Sequence, residues 1–275
     1  MKISSTEKNE INTSLAFNRQ AAVFDTIYCS NTIIQYKRQR VREHVLQYLQ
    51  PKSSILELNS GTGEDATWFA EQGHFVHATD ISHEMLGRLK QKAKDHGLQN
   101  NISTEQISFT NLNSLQQKKQ YDYIFSNFAG LNCTNVLNSV LESFNDLLKP
   151  GGTVTLVLLP KFCLWEFLLL FKGQFKTSFR RFFSRNGAKA HIEGVHFKCW
   201  YYNPSYVIKN LERQFDVRSV EGLCTLVPPS YMEGFAEKHP KLYRFLKNKE
   251  AVYKKKWPWK YIGDYYIISL QKKIA

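Results

Sequence analysis

Ile55-Leu56-Glu57-Leu58-Asn59-Ser60-Gly61-Thr62-Gly63-Glu64-Asp65-Ala66 is followed, seventeen residues beyond Gly63, by Asp80 at the end of a second apolar run. An apolar strand, a tight glycine turn and a helix start let backbone N–H groups come close to a ligand, because glycine accepts dihedrals and contacts that a Cβ would block. A carboxylate at the tip of the next parallel strand can accept hydrogen bonds from two adjacent ribose hydroxyls. The stretch therefore predicts a strand–turn–helix–strand unit that holds a nucleoside-containing cofactor. Gly61 to Ala66 also satisfies the G-x-G-x-x-A form of dinucleotide sites. In such sites the first glycine follows the strand directly, whereas here Glu57-Leu58-Asn59-Ser60 intervenes and Glu64 and Asp65 stand at the helix start. Two carboxylates there repel a pyrophosphate but tolerate a ligand with a positive centre and no phosphate.

Outward from this unit, short apolar strands alternate with helices, the pattern of a parallel α/β sheet. Asn31 to Leu49 reads as an amphipathic helix ended before Pro51, with Ile33, Ile34, Val41, Val45 and Leu49 on one face and Lys37, Arg38, Arg40 and Arg42 on the other. Strands are expected at Ser54–Leu58, Phe75–Thr79, Ile107–Thr110, Tyr121–Ser126 and Thr153–Leu159. Between them fall helices Asp65–Gln72, a Ser82-capped helix to about His96, and Asn135–Leu148. Phe215–Leu223 and Asp264–Leu270 read as two last strands, separated by a Lys-rich helix. Ligands of doubly wound sheets bind beyond the carboxyl ends of the strands at the switch point, where Asn59 to Gly63, Asp80, Asn111 and Asn127 gather.

Four ordered motifs, Glu57 to Gly63, Thr79-Asp80-Ile81-Ser82, Tyr121 to Asn127 and Leu147-Leu148-Lys149-Pro150-Gly151-Gly152, together cover about residues 54–159. In this order and spacing they resemble the class I S-adenosylmethionine-dependent methyltransferases, whose first motif is written E/D-x-G-x-G-x-G. Asn59 stands where that motif has its first glycine; asparagine enters left-handed conformations readily, so the turn can persist. Phe24-Asp25-Thr26-Ile27-Tyr28 resembles the short aromatic segment that helps close the pocket in small-molecule, quinone-biosynthesis-like members. The resemblance implies a doubly wound, mostly parallel seven-stranded sheet with helices on both faces and a helical lid. It divides the chain into an N-terminal cap (1–50), a cofactor-binding core (51–160), a lid insertion (161–205) and a C-terminal part with a basic helical insertion (206–275). It further implies S-adenosylmethionine as cofactor and S-adenosylhomocysteine as product. The residues it assigns to the cofactor are Glu57 near the methionine amino end, Asn59, Gly61 and Gly63 in the turn, and Asp80 at the ribose. Ile81, Asn111 and Leu112 fall to the adenine, Asn127 and Phe128 to the methionine moiety, and Tyr28 to the closing segment.

Composition limits the alternatives. A chain of 275 residues, 43% hydrophobic, can bury a full core and is not disordered as a whole. Residues 1–18 are polar and lack the apolar core of a secretory signal, so a cytoplasmic location is the default expectation. The most apolar stretch, Val154 to Phe171, is interrupted by Pro160, Lys161 and Glu166, which argues against a membrane span. Cys29, Cys133, Cys163, Cys199 and Cys224 show no C-x-x-C pair, and the histidines no H-x-x-x-H spacing, so free thiols and no metal are expected. Residues 1–160 hold fifteen Lys/Arg against fifteen Asp/Glu, and residues 161–275 twenty-two against nine. The whole excess of +13 is C-terminal, which suits an anionic substrate, a nucleic acid or an acidic membrane surface, or simply a solvated basic face. Oligomeric state has no signature here.

Methyl transfer from a sulfonium is an in-line displacement that depends on positioning and on exclusion of water. No G-x-S-x-G elbow or P-loop is present. His191, His196, Glu166 and Tyr28 are the candidate bases for a hydroxyl acceptor, and His196, near Trp200-Tyr201-Tyr202, is preferred. Arg38 and Arg42, four apart on one helix face, either meet the cofactor carboxylate or stay solvated. Leu164 to Arg185 carries an aromatic stripe beside Lys172, Lys176, Arg180, Arg181 and Arg185, and reads as a helical lid over a large apolar or aromatic substrate, as core packing, or as an interfacial helix. These features favour methylation of an oxygen on a small aromatic or lipidic acceptor. The basic half and abundant Tyr/Phe keep an RNA acceptor as the alternative, although Ser126-Asn127-Phe128-Ala129 lacks the N/D-P-P-Y/F form of base-amino methylating enzymes.

Overall fold

In a computed structural model of the protein, which describes residues 4–117 and 119–274, the chain is organised by a seven-stranded sheet. The first three residues of the expected cap, and the side chain of Lys172, lie outside the described residues. Strands β1 (Ser54–Leu58), β2 (Phe75–Asp80), β3 (Ile102–Gln106), β4 (Tyr121–Ser126) and β5 (Leu148–Leu158) are parallel. Strands β6 (Ala188–Ile192) and β7 (Val195–Cys199) form a separate hairpin. Beyond β5, β9 (Tyr265–Lys272) runs antiparallel and carries β8 (Phe215–Leu223) at the edge, giving the order β3-β2-β1-β4-β5-β9-β8.

The central strands are apolar on both faces, as a sheet covered on both sides requires. The helices of the chain are α1 (Ser5–Gln20), α2 (Phe24–Cys29), α3 (Thr32–Val45), α4 (Glu64–Glu71), α5 (His83–Asp95), α6 (Leu137–Leu147), α7 (Leu164–Leu168), α8 (Phe175–Phe179), α9 (Pro204–Leu211), α10 (Phe235–Lys238) and α11 (Pro240–Tyr253). On one face Val41 and Val45 of α3, Phe69 of α4 and Leu86 and Leu89 of α5 pack on Ile55, Val76 and Phe125. On the other, Leu137, Leu141 and Phe144 of α6 and Val207 and Leu211 of α9 pack on Leu56, Ile124 and Leu156. From β1 the chain winds outward through β2 to β3, then returns to place β4 on β1's other side. The switch point therefore lies between the carboxyl ends of β1 and β4.

Two expectations are corrected. The third strand is Ile102–Gln106, and Phe109–Ser114 is a 3₁₀ turn instead of the strand expected at Ile107–Thr110. β3 sits at the sheet edge and only Ile102 is buried in it, so its polar Ser-Thr-Glu-Gln run gave no apolar signal while backbone pairing to β2 still formed it. Leu164 to Arg185 is not one helix: α7 runs into a 3₁₀ turn (Leu169–Lys172), Gly173 takes φ +72°, and α8 starts anew.

Candidate cofactor site

At the switch point a cavity opens among the loops that follow β1, β2, β3 and β4, with Glu57, Asn59, Gly61, Asp80, Ile81, Asn127 and Phe128 in its wall. Gly61 and Gly63 take φ +55° and +82°, and a Cβ on Gly63 would lie 2.4 Å from Leu89 Cγ, so the turn and the close seating of α5 require glycine. Gly63 shapes the wall from behind without lining it. Asn59 adopts φ +48° and spends its side chain across the switch point: Ser126 Oγ donates to its Oδ1 at 2.6 Å, and its Nδ2 donates to the carbonyl of Asn127 at 2.9 Å. A Cβ on Gly130 would meet Asn59 Cγ at 2.2 Å, so the glycine absent from the first turn is supplied opposite it.

The chemistry of the wall is acidic. Glu57 is 3% exposed, and its Oε2 has no hydrogen-bond partner among the described residues. Burial, reinforced by the charge of Asp65, pushes its carboxyl well above the usual range, with Arg38 opposing. The buried Oγ of Ser60, in the same wall, is equally unpartnered among the described residues. Asp80 accepts from the amide of Gly61 at 2.9 Å and from that of Ser82 at 2.8 Å; burial raises its carboxyl and these amides offset part of the rise. Burial also pushes the Asp65 carboxyl up, but Arg38, 3.1 Å away, Arg42 and the Asn127 amide more than reverse this and hold it low. Arg38 and Arg42 are thus committed to Asp65, and Arg38 also lies 5.2 Å from the centre of the Phe128 ring. After β4, Phe128 and Ala129 are consecutive non-glycine residues at φ +45° and +63°, a costly turn held by Asn127 Oδ1 and by the carbonyl of Val157.

The cover comes from the N-terminus. Thr13 and Phe17 of α1 and Phe24 of α2 complete the cavity, while none of the described residues of 161–205 lines it. The two helices are pinned to the motif loops: Ser14 Oγ donates to the carbonyl of Ile81 at 3.2 Å, Ser82 Oγ to Asn18 at 2.6 Å, and Thr62 Oγ1 to Asp25 at 2.5 Å. Lys92 joins Asp25 and Glu64.

Several sequence-based assignments move. Asn111 and Leu112 are not in the wall: Leu112 is buried in the core against α6, and Asn111 is exposed with its Oδ1 on Ser114. Because β3 ends at Gln106, the next residues, Ile107 and Phe109, take the place expected for that pair, joined by Met85. Tyr28 stands behind the wall with its ring 4.5 Å from that of Phe24. His196 is exposed on the β6–β7 hairpin, its ring 4.6 Å from that of His191, and lines a different cleft. Glu166 is buried in ion pairs with Arg180 and Arg181. The residues that sequence reasoning passed over, Thr13, Phe17, Ile107, Phe109 and Cys133, sit on loops or a remote helix and carry no spacing signal.

A family model described as a methyltransferase domain matches residues 55–152, from β1 into β5. Residues 55–152 thus carry the sequence of a methyltransferase domain, with the turn after β1, Asp80 and the turn after β4 inside the match. A curated relative, the tRNA 5-carboxymethoxyuridine methyltransferase of Escherichia coli K12, is 30% identical over 116 residues, or 42% of this chain and 44% of the relative. The chain thus spans less than half the length of that relative. Among solved structures, an S-adenosylmethionine-dependent methyltransferase described as putative from Listeria monocytogenes aligns with TM-score 0.59 and 15% identity over 84% of this chain and 96% of that one. The 1,6-didemethyltoxoflavin-N1-methyltransferase of Burkholderia thailandensis aligns with TM-score 0.59 and 12% identity over 99% and 92%. The cyclase SpnF aligns with TM-score 0.62 and 13% identity over 99% and 98%. At such identities the likeness is one of fold, and a cyclase among the neighbours shows that this fold does not by itself fix the acceptor chemistry.

Proposed function

We propose that this methyltransferase holds S-adenosylmethionine in the α1-covered cavity and transfers its methyl group to an acidic oxygen of a small, largely apolar acceptor. The observation that carries the reading is the buried, unpartnered carboxylate oxygen of Glu57 in the same wall as the strand-end carboxylate of Asp80. An orphaned acceptor at this depth is costly unless a donor arrives with a ligand. Four carboxylates line the cavity against one guanidinium, which suits a ligand with positive centres and no phosphate. Glu57 would hold the ammonium end, the Gly61 turn would let the ligand approach the backbone, Asp80 would take the ribose hydroxyls, and Ile81, Met85, Ile107 and Phe109 would enclose the base. When bound, the sulfonium supplies an electrophilic methyl: its carbon–sulfur bond breaks as the bond from acceptor oxygen to carbon forms, and a neutral thioether remains.

The chain's own residues supply position, dryness and charge. Phe17, Phe24 and Phe128 exclude water, which favours displacement over hydrolysis. All four carboxylates of the wall are occupied or protonated: Glu57 is held towards its protonated form, Glu64 is paired with Lys92, Asp65 is engaged by two arginines, and Asp80 is engaged by backbone amides. Such a site works best on an acceptor that arrives ionised. Lys37 lies just behind Phe128, 4% exposed, 5.4 Å from that ring and 4.6 Å from the ring of Tyr265, with Ser230 Oγ at 3.1 Å and no carboxylate within salt-bridge distance among the described residues. A buried cation left without a counter-ion favours a negatively charged oxygen nearby.

An RNA acceptor is supported by a second observation. Lys8, Lys161, Arg185, Lys189 and Lys198 line a cleft beside α1 whose wall holds Trp200 and Tyr206 and no carboxylate, and the curated relative acts, by its name, on tRNA. Thermal unfolding with S-adenosylmethionine, S-adenosylhomocysteine, NAD and ATP in parallel tests the cofactor reading, since a ligand of the native state raises the midpoint by mass action. A shift with the two sulfonium-derived nucleosides that vanishes in Asp80→Ala is expected; a shift with NAD alone sinks it. RNA binding that weakens steeply with salt would move the acceptor to nucleic acid.

A further inference from the structure

Residues 162–185 are turned inside out. Glu166 and Arg181 are 1% and 2% exposed, and Ser178 and Ser184 are buried too, while Phe171, Phe175 and Phe183 are 84%, 64% and 84% exposed. The inward polar groups fix this orientation. Arg181 Nη2 lies 2.7 Å from both Glu166 Oε1 and Asp264 Oδ1, its Nη1 donates to the carbonyls of Pro160 and Asp264, and Arg180 closes on Glu166 at 2.7 Å. The segment is therefore fastened to the ends of β5 and β9 by its charges and cannot roll to hide its rings. Five of the aromatic side chains form a connected ledge, Phe162 with Phe167 and Phe182 at 5.7 and 5.8 Å, and Phe179 with Phe182 and Phe183 at 6.2 Å each, and Phe171 and Phe175 stand exposed on the same segment. From residue 167 to 192 the sequence has six Lys/Arg and no Asp or Glu, and Lys176, Arg180, Arg185 and Lys189 are exposed beside the rings.

We propose that this ledge seats the protein on an anionic lipid surface, with Phe171, Phe175 and Phe183 in the headgroup boundary and Lys176, Arg185 and Lys189 on acidic headgroups. A monomeric protein rarely leaves a contiguous aromatic patch in water. The phase that matches rings and cations on one acid-free face is apolar beneath and negative at its surface. The contact is peripheral, since no helix among the described residues is long and apolar enough to cross a membrane. No described residue of the ledge lines the cofactor cavity, so the proposal stands or falls apart from the cofactor reading; it shares Arg185 and Lys189 with the cleft that supports an RNA acceptor, and the RNA arm of the test separates the two.

The test is co-sedimentation of the full chain with vesicles of phosphatidylcholine alone and of two parts phosphatidylcholine to one part phosphatidylglycerol. Binding to the anionic vesicles that weakens with salt is expected. F171S/F175S/F183S should lose at least about tenfold in vesicle affinity with an unchanged unfolding midpoint, because the rings are exposed. K176Q/R185Q/K189Q should lose the preference for anionic vesicles. Three results overturn the proposal: no vesicle binding while the cofactor-induced thermal shift persists; a triple serine variant that instead converts a self-associated form to monomer; or single-stranded RNA that displaces the protein from vesicles and loses its own affinity in the same variant.

Discussion

Glu57 at the end of β1 and Glu250 in α11 are withdrawn from water to almost the same degree, at 3% and 1% exposure, yet they meet opposite surroundings. Glu250 accepts five hydrogen bonds: from the amides of Thr225, Leu226 and Val227 on Oε2, and from the Cys224 amide and Tyr36 hydroxyl on Oε1. Glu221, at the end of β8, is likewise surrounded, by Arg40, His44, Lys254 and Lys255. Glu57 has an oxygen that nothing among the described residues serves. A buried carboxylate with its donors complete is part of the architecture, and one with a donor missing is a place for a ligand. The C-terminal region thus spends its buried charge on holding a turn against the sheet, and the switch point keeps its own in reserve.

The largest effect that separates the two belongs to Glu250. Glu250→Ala strands four backbone N–H groups in a dry turn, and at about 1–3 kcal/mol for each unsatisfied donor, with incomplete additivity, the loss should be at least about 3 kcal/mol. Thermal denaturation should show it, with a fall in midpoint of roughly 6–12 °C. Glu250→Gln should lose less, since its amide oxygen can still accept from Thr225, Leu226 and Val227. A neutral Glu250→Ala would erase the comparison.

Next in size is the contact between Asn59 and Gly130. Gly130→Ala drives a methyl into the Asn59 side chain, a strain of about 1–3 kcal/mol. Asn59→Gly on that background should recover most of it, and the cycle measures the coupling of the two loops by unfolding free energy. Full additivity would mean that the loops do not brace each other. This pair also shows where the sequence was legible. Backbone requirements are local, so Gly61, Gly63, Asp80 and the left-handed Asn59 could be read from one strand–turn–helix, and the structure puts them in the turn after β1 and at the end of β2. Gly130 could not be paired with Asn59 from sequence, because their meeting depends on the register of β4 beside β1. Asn111 and Leu112 were misplaced for a related reason: an edge strand formed by backbone pairing leaves little apolar pattern, and an error of five residues in the start of β3 carries with it the residues counted from that strand's end. The cover was misassigned to 161–205 because an aromatic stripe reads the same whether it faces a pocket, a core or an outer phase.

Glu57→Gln sharpens the comparison with a smaller, two-signed effect. Burial, then the neighbouring Asp65, raises the folded-state pKa of this carboxyl above the unfolded value. The folded form therefore holds its proton more tightly, and this contribution to stability is fully present below the unfolded pKa and lost as pH rises through the folded one. At neutral pH the amide, which carries no charge to bury, should raise the midpoint of the ligand-free protein by a few degrees, roughly 1 kcal/mol. The gain over wild type should shrink as pH falls towards the ordinary carboxylate range. The same substitution should weaken S-adenosylmethionine binding by about 10–100-fold, as loss of a hydrogen bond to a charged group does. An equal loss of stability and affinity would instead make Glu57 a second Glu250.

The smallest effect is expected at His196. It faces His191 across the β6–β7 hairpin, exposed, in a cleft apart from the cofactor cavity. A proton acceptor must come within hydrogen-bond reach of the group it serves, directly or through one water. The hairpin packs through Val195 and Phe197 on Ala16 and Phe17 of α1, so His196 points away from the face of α1 that covers the cavity. His196→Ala should therefore leave kcat/KM within about twofold and leave its pH profile unmoved. A tenfold fall with loss of the acidic limb would mean that α1 swings aside on acceptor binding and brings the hairpin to the methyl group, which would make the cover, and not the wall, the acceptor-reading part of the enzyme.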